Sequence, residues 1–425
     1  MKKEIINRYF LYISLLTMFV AIYYGIYNSR LYLIAFAINI ITIILGNFKM
    51  TFSQLFFLIP FSMIYKLTPS SSSLFTFGML LTAIISFVRW NRGNSFLYGY
   101  ICFFALYLYV GLESDYVSLL KIIGGLLCLT TFINNCRIND IKDIIISSAL
   151  GILGASYLGL SKITNPNISQ YFGDLNSEWM NGEQVFRFSG LMQDPNYYSV
   201  SVIVTVFLLF RLFQTKSANR ILTLTIIISL VVFGSLSYSR IYIVALVLMM
   251  AYFTNILMKK SRYRLTAVLS VVLFTTIAWY YIGTSTFFQN ISLRFEAEDV
   301  SSGRTTIWWN YLEYIFSNPI VLLVGAGLDA SFVGKMGAHN TYIEVLHRVG
   351  IIGGIIYTIL LISIIKSRRL NNLNLEKCSL LFIFLIMIGT LGFFQMNDFS
   401  FYLMFVWISM FYTSKDIIEN NKHII

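Results

Sequence analysis

The feature that most constrains this chain is a succession of long apolar blocks with almost no charge inside them. Blocks of about 17–25 apolar residues are what a helix needs to cross roughly 30 Å of hydrocarbon. Lipid offers no partner to a bare backbone N–H or C=O, so only helices and closed barrels can cross it. A barrel would read as alternating segments of about ten residues, and these blocks are too long and too uniform for that. Composition agrees: 57% of residues are hydrophobic and 12% charged, against roughly 45–50% and 25% in a soluble domain. The expected fold is an all-α polytopic membrane protein with about 14 transmembrane helices, within a range of about 12–14. The candidate spans are 8–28, 31–47, 51–67, 73–89, 96–112, 117–134, 143–160, 195–213, 220–236, 239–257, 264–283, 340–365, 376–394 and 398–413. The first block is long enough to remain as a membrane helix rather than a cleaved signal.

A net charge of +12 would ordinarily point to nucleic acid or an anionic surface. Here the cations read as topology signals. Lys and Arg in short loops mark the cytoplasmic side. With Lys2, Lys3 and Arg8 inside, alternate loops place inside Lys49, then Arg89 and Arg92, Arg137 and Lys142, Arg211, Lys216 and Arg220, and Lys259 to Arg264. Lys366 to Lys377 and the tail with Lys415 and Lys422 follow the same alternation. Both termini are therefore expected to be cytoplasmic. The four cysteines, Cys102, Cys128, Cys136 and Cys378, are scattered, with no spacing for a zinc site or disulfide framework.

Two outer segments are long, near 161–194 and 284–338. Loops beyond about 12–15 residues are usually functional or disordered, and these carry aromatics, glycines and charges. Within the second, residues 301–317 (SSGRTTIWWNYLEYIFS) have the spacing of an amphipathic helix at the membrane surface. No internal repeat is evident.

The outer zone holds arginines where the charge rule disfavours them: Arg187, Arg240 and Arg304. One alone reads as a surface ion pair or a snorkelling side chain. Three in one zone form a pattern, because the guanidinium fork suits phosphate. Arg187 opens RFSGLMQDPN, in which Asp194 reads as an N-cap and Pro195 as the first helical residue. Arg240 ends the polar turn SLSYSR, and Arg304 follows Gly303, one turn before Trp308 and Trp309, which by themselves read as interfacial anchors. Gly325-Ala326-Gly327 precedes His339-Asn340-Thr341-Tyr342 at the start of a span. A lone histidine is more often structural than catalytic. At a helix N-terminus, however, imidazolium is disfavoured, which leaves a neutral ring able to act as a base. Glu344 and Arg348 are spaced for an intrahelical pair and, with His347, read as lining or structural.

In these residues the chain resembles the O-antigen polymerase and O-antigen ligase superfamily of bacterial membrane glycosyltransferases. The resemblance rests on an ordered set: Arg187 to Asn196, Ser239-Arg240, Gly303-Arg304 with Trp308, Asn318-Pro319, Gly325 and Gly327, His339 to Tyr342, and an apolar helix starting with Gly350. It covers about residues 185–365. It implies a catalytic region at 161–365 with the outer loops, a variable transmembrane bundle at 1–160 that shapes sugar specificity, and C-terminal helices with a cytoplasmic tail at 366–425. It also implies that His339 activates the acceptor hydroxyl, that Arg187, Arg240 and Arg304 bind the diphosphate, and that Asp194, Asn196, Asn340 and Tyr342 support them. No metal or other cofactor is implied. The implied partners are an undecaprenyl-diphosphate-linked oligosaccharide, membrane lipid and a chain-length regulator protein, with no nucleic acid. The place is the bacterial inner membrane, with the site on its outer side.

Within the superfamily the richness in Ile, Asn, Lys, Phe and Tyr is typical of AT-rich polysaccharide loci and favours a polymerase of O-antigen, capsule or other exopolysaccharide over a ligase to lipid A-core. A flippase for lipid-linked oligosaccharides is the reading from another class. It would show mid-membrane charges and similar halves, with short outer loops.

Overall fold

The computed structural model describes residues 2–90, 95–111, 116–136, 138–172, 177–180, 183–214, 219–258, 303–334 and 337–366. The first seven helices are α1 (Lys2–Gly25), α2 (Tyr32–Leu45), α3 (Phe48–Leu58), α4 (Leu74–Trp90), α5 (Ser95–Val110), α6 (Tyr116–Asn135) and α7 (Ile138–Gly159). After the single turn α8 (Pro166–Ser169) comes an antiparallel hairpin of β1 (Ser177–Met180) and β2 (Glu183–Phe186), with Trp179 opposite Gln184. Then follow α9 (Pro195–Gln214), α10 (Arg220–Ser235), α11 (Arg240–Met258), α12 (Arg304–Ser317), α13 (Pro319–Val324) and α14 (Thr341–Lys366). The hairpin, inside the first long outer segment, is a departure from the all-α expectation. The expected spans 264–283, 376–394 and 398–413 lie outside the described residues.

Among the described residues, four helices are long and apolar enough to cross a membrane: Asn7–Gly25, Asp140–Gly159, Pro195–Phe213 and Thr341–Leu360. The other apolar helices run 10–17 residues. Their outer faces are apolar too. On α1, Tyr9, Phe10, Ile13, Leu16, Val20 and Tyr24 are exposed, while Leu11, Leu15, Met18 and Ile22 are buried. On α14, Ile355, Ile359 and Ile362 form an exposed row at helical spacing. A helix that is apolar all round belongs in a core or in lipid. Exposed apolar stripes on several such helices are the surface of a membrane protein.

The core of the first half is α3, every residue of which is buried. Asn47 caps it, accepting from the Met50 amide at 3.0 Å. Its regular part is shorter than the expected 51–67, because Pro60 falls in the tighter turn Ile59–Phe61 that ends it. A helix lying inside others meets no lipid, so it tolerates polar side chains that find one another. Gln54 donates to Ser14 Oγ at 2.9 Å, and Asn39 donates to Gln54 at 3.4 Å. α7 crosses α3 closely at Gly151, where a Cβ would stand 2.4 Å from the Phe57 carbonyl oxygen.

Charge gathers at the two ends of α7. At its start Asp143, fully buried, meets Arg8 at 3.2 Å and Lys49 at 3.1 Å. Tyr12 also donates to Asp143 at 3.4 Å. Three segments assigned to one side by the charge alternation, the starts of α1, α3 and α7, therefore do meet. From Asp143 to Gly159 the helix rises about 24 Å, close to the thickness of hydrocarbon. Just beyond its far end lies the loop that carries Arg187 and Asp194.

α14 was expected as a continuous span, and it is broken. Gly350 has φ 65° and ψ −172° inside it. The break releases the carbonyls of the preceding turn, and the Gly325–Gly327 segment takes them: the Ala326 amide donates to the His347 carbonyl at 2.8 Å, and the Gly327 amide to that of Arg348 at 3.0 Å. Tyr107 of α5 donates to the Val349 carbonyl at 2.7 Å. Two backbones touch here, since a Cβ on Gly350 would lie 2.5 Å from the Leu323 carbonyl. Gly325 and Gly350 are thus explained by packing, and Gly327 by its φ of 109°.

Candidate functional site

Asp194, Arg240, Arg304 and His339 stand at the N-termini of four helices. Asp194 caps α9: its Oδ1 accepts from the amides of Asn196 at 2.6 Å and Tyr197 at 3.4 Å, with Pro195 at the first helical position. Arg240 is the first residue of α11 and Arg304 the first of α12, where Gly303 adopts φ 76° as the cap. His339 lies two residues before α14, whose cap Asn340 accepts from the Tyr342 and Ile343 amides at 2.9 and 3.2 Å. Each helix start presents amide N–H groups and a partial positive charge. That is a ready environment for an anion.

Two turns hold this arrangement together. The extended stretch after β2 pairs with the turn before α11: the Phe188 amide donates to the Leu236 carbonyl at 3.1 Å. Arg187, only 8% exposed, donates through Nε to the Ser237 carbonyl at 3.2 Å and through Nη2 to Asn196 Oδ1 at 2.8 Å. The Ser239 hydroxyl donates to the same Asn196 oxygen at 3.0 Å. Asn196 therefore joins α9, the Arg187 strand and the start of α11. Arg187 belongs to the frame of the site as well as to its charge.

Electrostatics link the four helix starts. The Arg304 guanidinium is disfavoured chiefly by burial; the Asp194 carboxylate opposes this, and Arg240 and Arg187 reinforce it. Burial likewise lowers the proton affinity of His339 below the usual imidazole range, with Asp194 raising it and Arg304 lowering it further. Arg187, Arg240, Arg304 and His339 thus lie within electrostatic reach of Asp194 or of one another. Tyr342 is 52% exposed.

Among the described residues, the only non-glycine residues with positive φ are Tyr238 at 47° and His339 at 46°. The left-handed region costs a side chain energy that the surroundings must supply. Both fall in this site, one beside Ser239-Arg240 and the other at the candidate base. His339 is held from α12: Trp308 Nε1 donates to the Ala338 carbonyl at 2.8 Å. Trp308 lies one turn after Arg304, so a single helix face serves both. Trp309 is 69% exposed, as an interfacial anchor would be.

Glu344 and Arg348 form the expected pair at 3.5 Å. Arg348 also donates to the Leu328 carbonyl. His347 is buried against the rings of Tyr311 and Tyr314, 5.1 and 5.6 Å away between centroids. These residues tie α14 to the loop and to α12 and are not part of the arginine cluster.

One cation here has no place in the sequence expectation. Lys162, just past the end of α7, donates to Ser189 Oγ and to the Met192 carbonyl, each at 3.0 Å. A usable signal was present: it follows a span directly on the cation-poor side. Among the described residues no group of three or more His, Cys, Asp or Glu side chains is placed to hold a metal ion. Comparisons with protein-family models, curated protein sequences and solved structures find no match to this chain.

Proposed function

We propose that this protein is a polysaccharide polymerase of the bacterial inner membrane. It transfers a growing glycan from undecaprenyl diphosphate to a hydroxyl of an incoming lipid-linked repeat unit. The observation that carries the reading is the gathering of Arg187, Arg240, Asp194 and His339 around Arg304, with all but Arg187 at helix N-termini. In this reaction the bond from the anomeric carbon to the diphosphate oxygen breaks and a glycosidic bond forms. His339 accepts the proton of the attacking hydroxyl, and the departing diphosphate develops negative charge. Fixed guanidinium groups and helix N-termini stabilise that charge without reorganising. Burial disfavours the imidazolium form of His339, which favours the neutral ring that a base needs.

Topology supports the placement. The cation alternation puts both termini in the cytoplasm and this site on the outer side, with about fourteen spans in the whole chain. The meeting of Arg8, Lys49 and Asp143 at the opposite end of α7 is consistent with that orientation. Outside the cytoplasm no nucleotide sugar is at hand, so a donor already activated on a lipid suits the site.

The test is reconstitution of the purified protein in vesicles with the lipid-linked repeat unit. Elongation by the protein alone, abolished by His339→Ala, is the expected result. Transfer only to a lipid A-core acceptor would make it a ligase instead. Movement of lipid across the bilayer without a new glycosidic bond would make it a flippase and overturn the proposal.

A further inference from the structure

Lys162 is a charge that the mechanism above leaves unused. Only 7% of the residue is exposed. Its ammonium donates to Ser189 Oγ and the Met192 carbonyl at 3.0 Å and lies 3.8 Å from the centre of the Phe172 ring. Ser189 itself donates to the same Met192 carbonyl at 2.8 Å. At the base of this loop the backbones touch: a Cβ on Gly159 would stand 2.5 Å from Gly190 Cα.

Burying an ammonium removes its hydration, which neutral oxygens and a ring face compensate only in part. Methionine would fill a similar space without that loss. A pin for the loop does not require a cation, so the charge needs its own reason. The loop supplies one. Arg187 lies two residues before Ser189, and Asp194 two residues after Met192, each on the order of 7 Å of extended chain. Lys162 stands directly behind the segment that frames the arginine cluster.

We propose that Lys162 is a positioning residue of the anion site, which fixes the Arg187–Asp194 loop and adds its charge to the potential that receives the diphosphate. This inference rests on the glycosyltransferase reading. Burial lowers its pKa to about 8, so the ammonium persists at neutral pH. An anion bound in front of the loop favours the charged form further.

The experiment measures binding of undecaprenyl diphosphate to the full-length protein in lipid nanodiscs, with undecaprenol as the uncharged control. Parent, Lys162→Arg, Lys162→Gln and Lys162→Met proteins are compared. The glutamine and methionine variants should bind the diphosphate about tenfold more weakly, as expected for one unit charge at this remove in partly buried protein. Arginine should restore binding to within about threefold of the parent, and undecaprenol should not discriminate among the four. In turnover, the loss should fall more on KM than on kcat. Parent-like binding by the glutamine and methionine variants overturns the inference, as does an arginine variant as weak as the methionine one. If the methionine variant does not accumulate, the glutamine and arginine pair carries the same comparison. A parent protein that binds undecaprenyl diphosphate no better than undecaprenol overturns the glycosyltransferase reading itself, a failure visible in the parent alone.

Discussion

Replacing Asn196 separates the frame of the site from its charge. Its Oδ1 accepts from Arg187 at 2.8 Å and from Ser239 at 3.0 Å, and both donors are buried, at 8% and 1% exposure. Asn196→Ala removes one acceptor from a charged donor, worth about 1.5–3 kcal/mol, and leaves a buried hydroxyl short of a partner, worth about 1–3 kcal/mol. Because one oxygen serves both, the terms overlap rather than add, and a loss of roughly 2–4 kcal/mol is expected. For a large chain at about 2 °C per kcal/mol this is a fall of about 4–8 °C in Tm. Asn196→Asp keeps the shape and the oxygen that accepts from both donors. It should unfold within about 2 °C of the parent, yet its carboxylate opposes an incoming anion. The readouts are intrinsic-fluorescence melting in detergent and polymer formation in vesicles. The alanine variant should lose both stability and activity, the aspartate variant activity alone. An alanine variant that melts with the parent would refute the account of Asn196 as the joint of the site. A fully active aspartate variant would refute anion binding in front of it.

Four further substitutions probe other parts. Burial and Arg304 hold the pKa of His339 below the usual imidazole value; a base works only when deprotonated, so activity should persist below pH 6.5 before it falls. Asp194→Asn removes the group that raises that pKa, and the acid limb of the pH–rate profile should move to lower pH; an unmoved limb argues that another group titrates there. Trp308→Phe deletes the donor to the Ala338 carbonyl, which should cost about 1 kcal/mol in stability and a larger share of kcat, whereas Trp309→Phe, on the exposed face, should be silent in both. Gly350→Ala places a Cβ against the Leu323 carbonyl at φ 65°; the mechanisms of strain and backbone clash predict a loss above about 2 kcal/mol, read as reduced folded protein by size-exclusion chromatography, and a normally folded variant would show that the helix break is optional.

The membrane helices were legible because hydrocarbon thickness acts on every span alike. Each expected span within the described residues has a helix there, with ends shifted by local chemistry such as the Asn47 cap and Pro60. Asp194 as a cap and Glu344 with Arg348 as a pair were also legible, since both are local relations of two to four residues. The hairpin was not, because its two four-residue strands lie in a polar loop without a run of alternating apolar residues. Nor was the break in α14, where a single Gly350 is compatible with an unbroken apolar helix until Gly325 and Gly327 are brought against it. Arg187 could be flagged as a misplaced charge, but its bracing bond to Ser237 depends on a turn fifty residues away, and its bond to Asn196 on the start of α9 nine residues on.

The ion cluster at Asp143 bears on how the chain is made. Synthesis runs from the N-terminus, so α1 and α3 leave the ribosome before α7 exists. Until then Lys49, which ends up 8% exposed, lacks the carboxylate it meets in the finished protein. Closure of this end of the bundle therefore waits for α7. A nascent chain halted before residue 138 carries Arg8 and Lys49 without the carboxylate they meet in the finished protein. A chain extended past Gly159 brings in the one buried carboxylate that joins both cations.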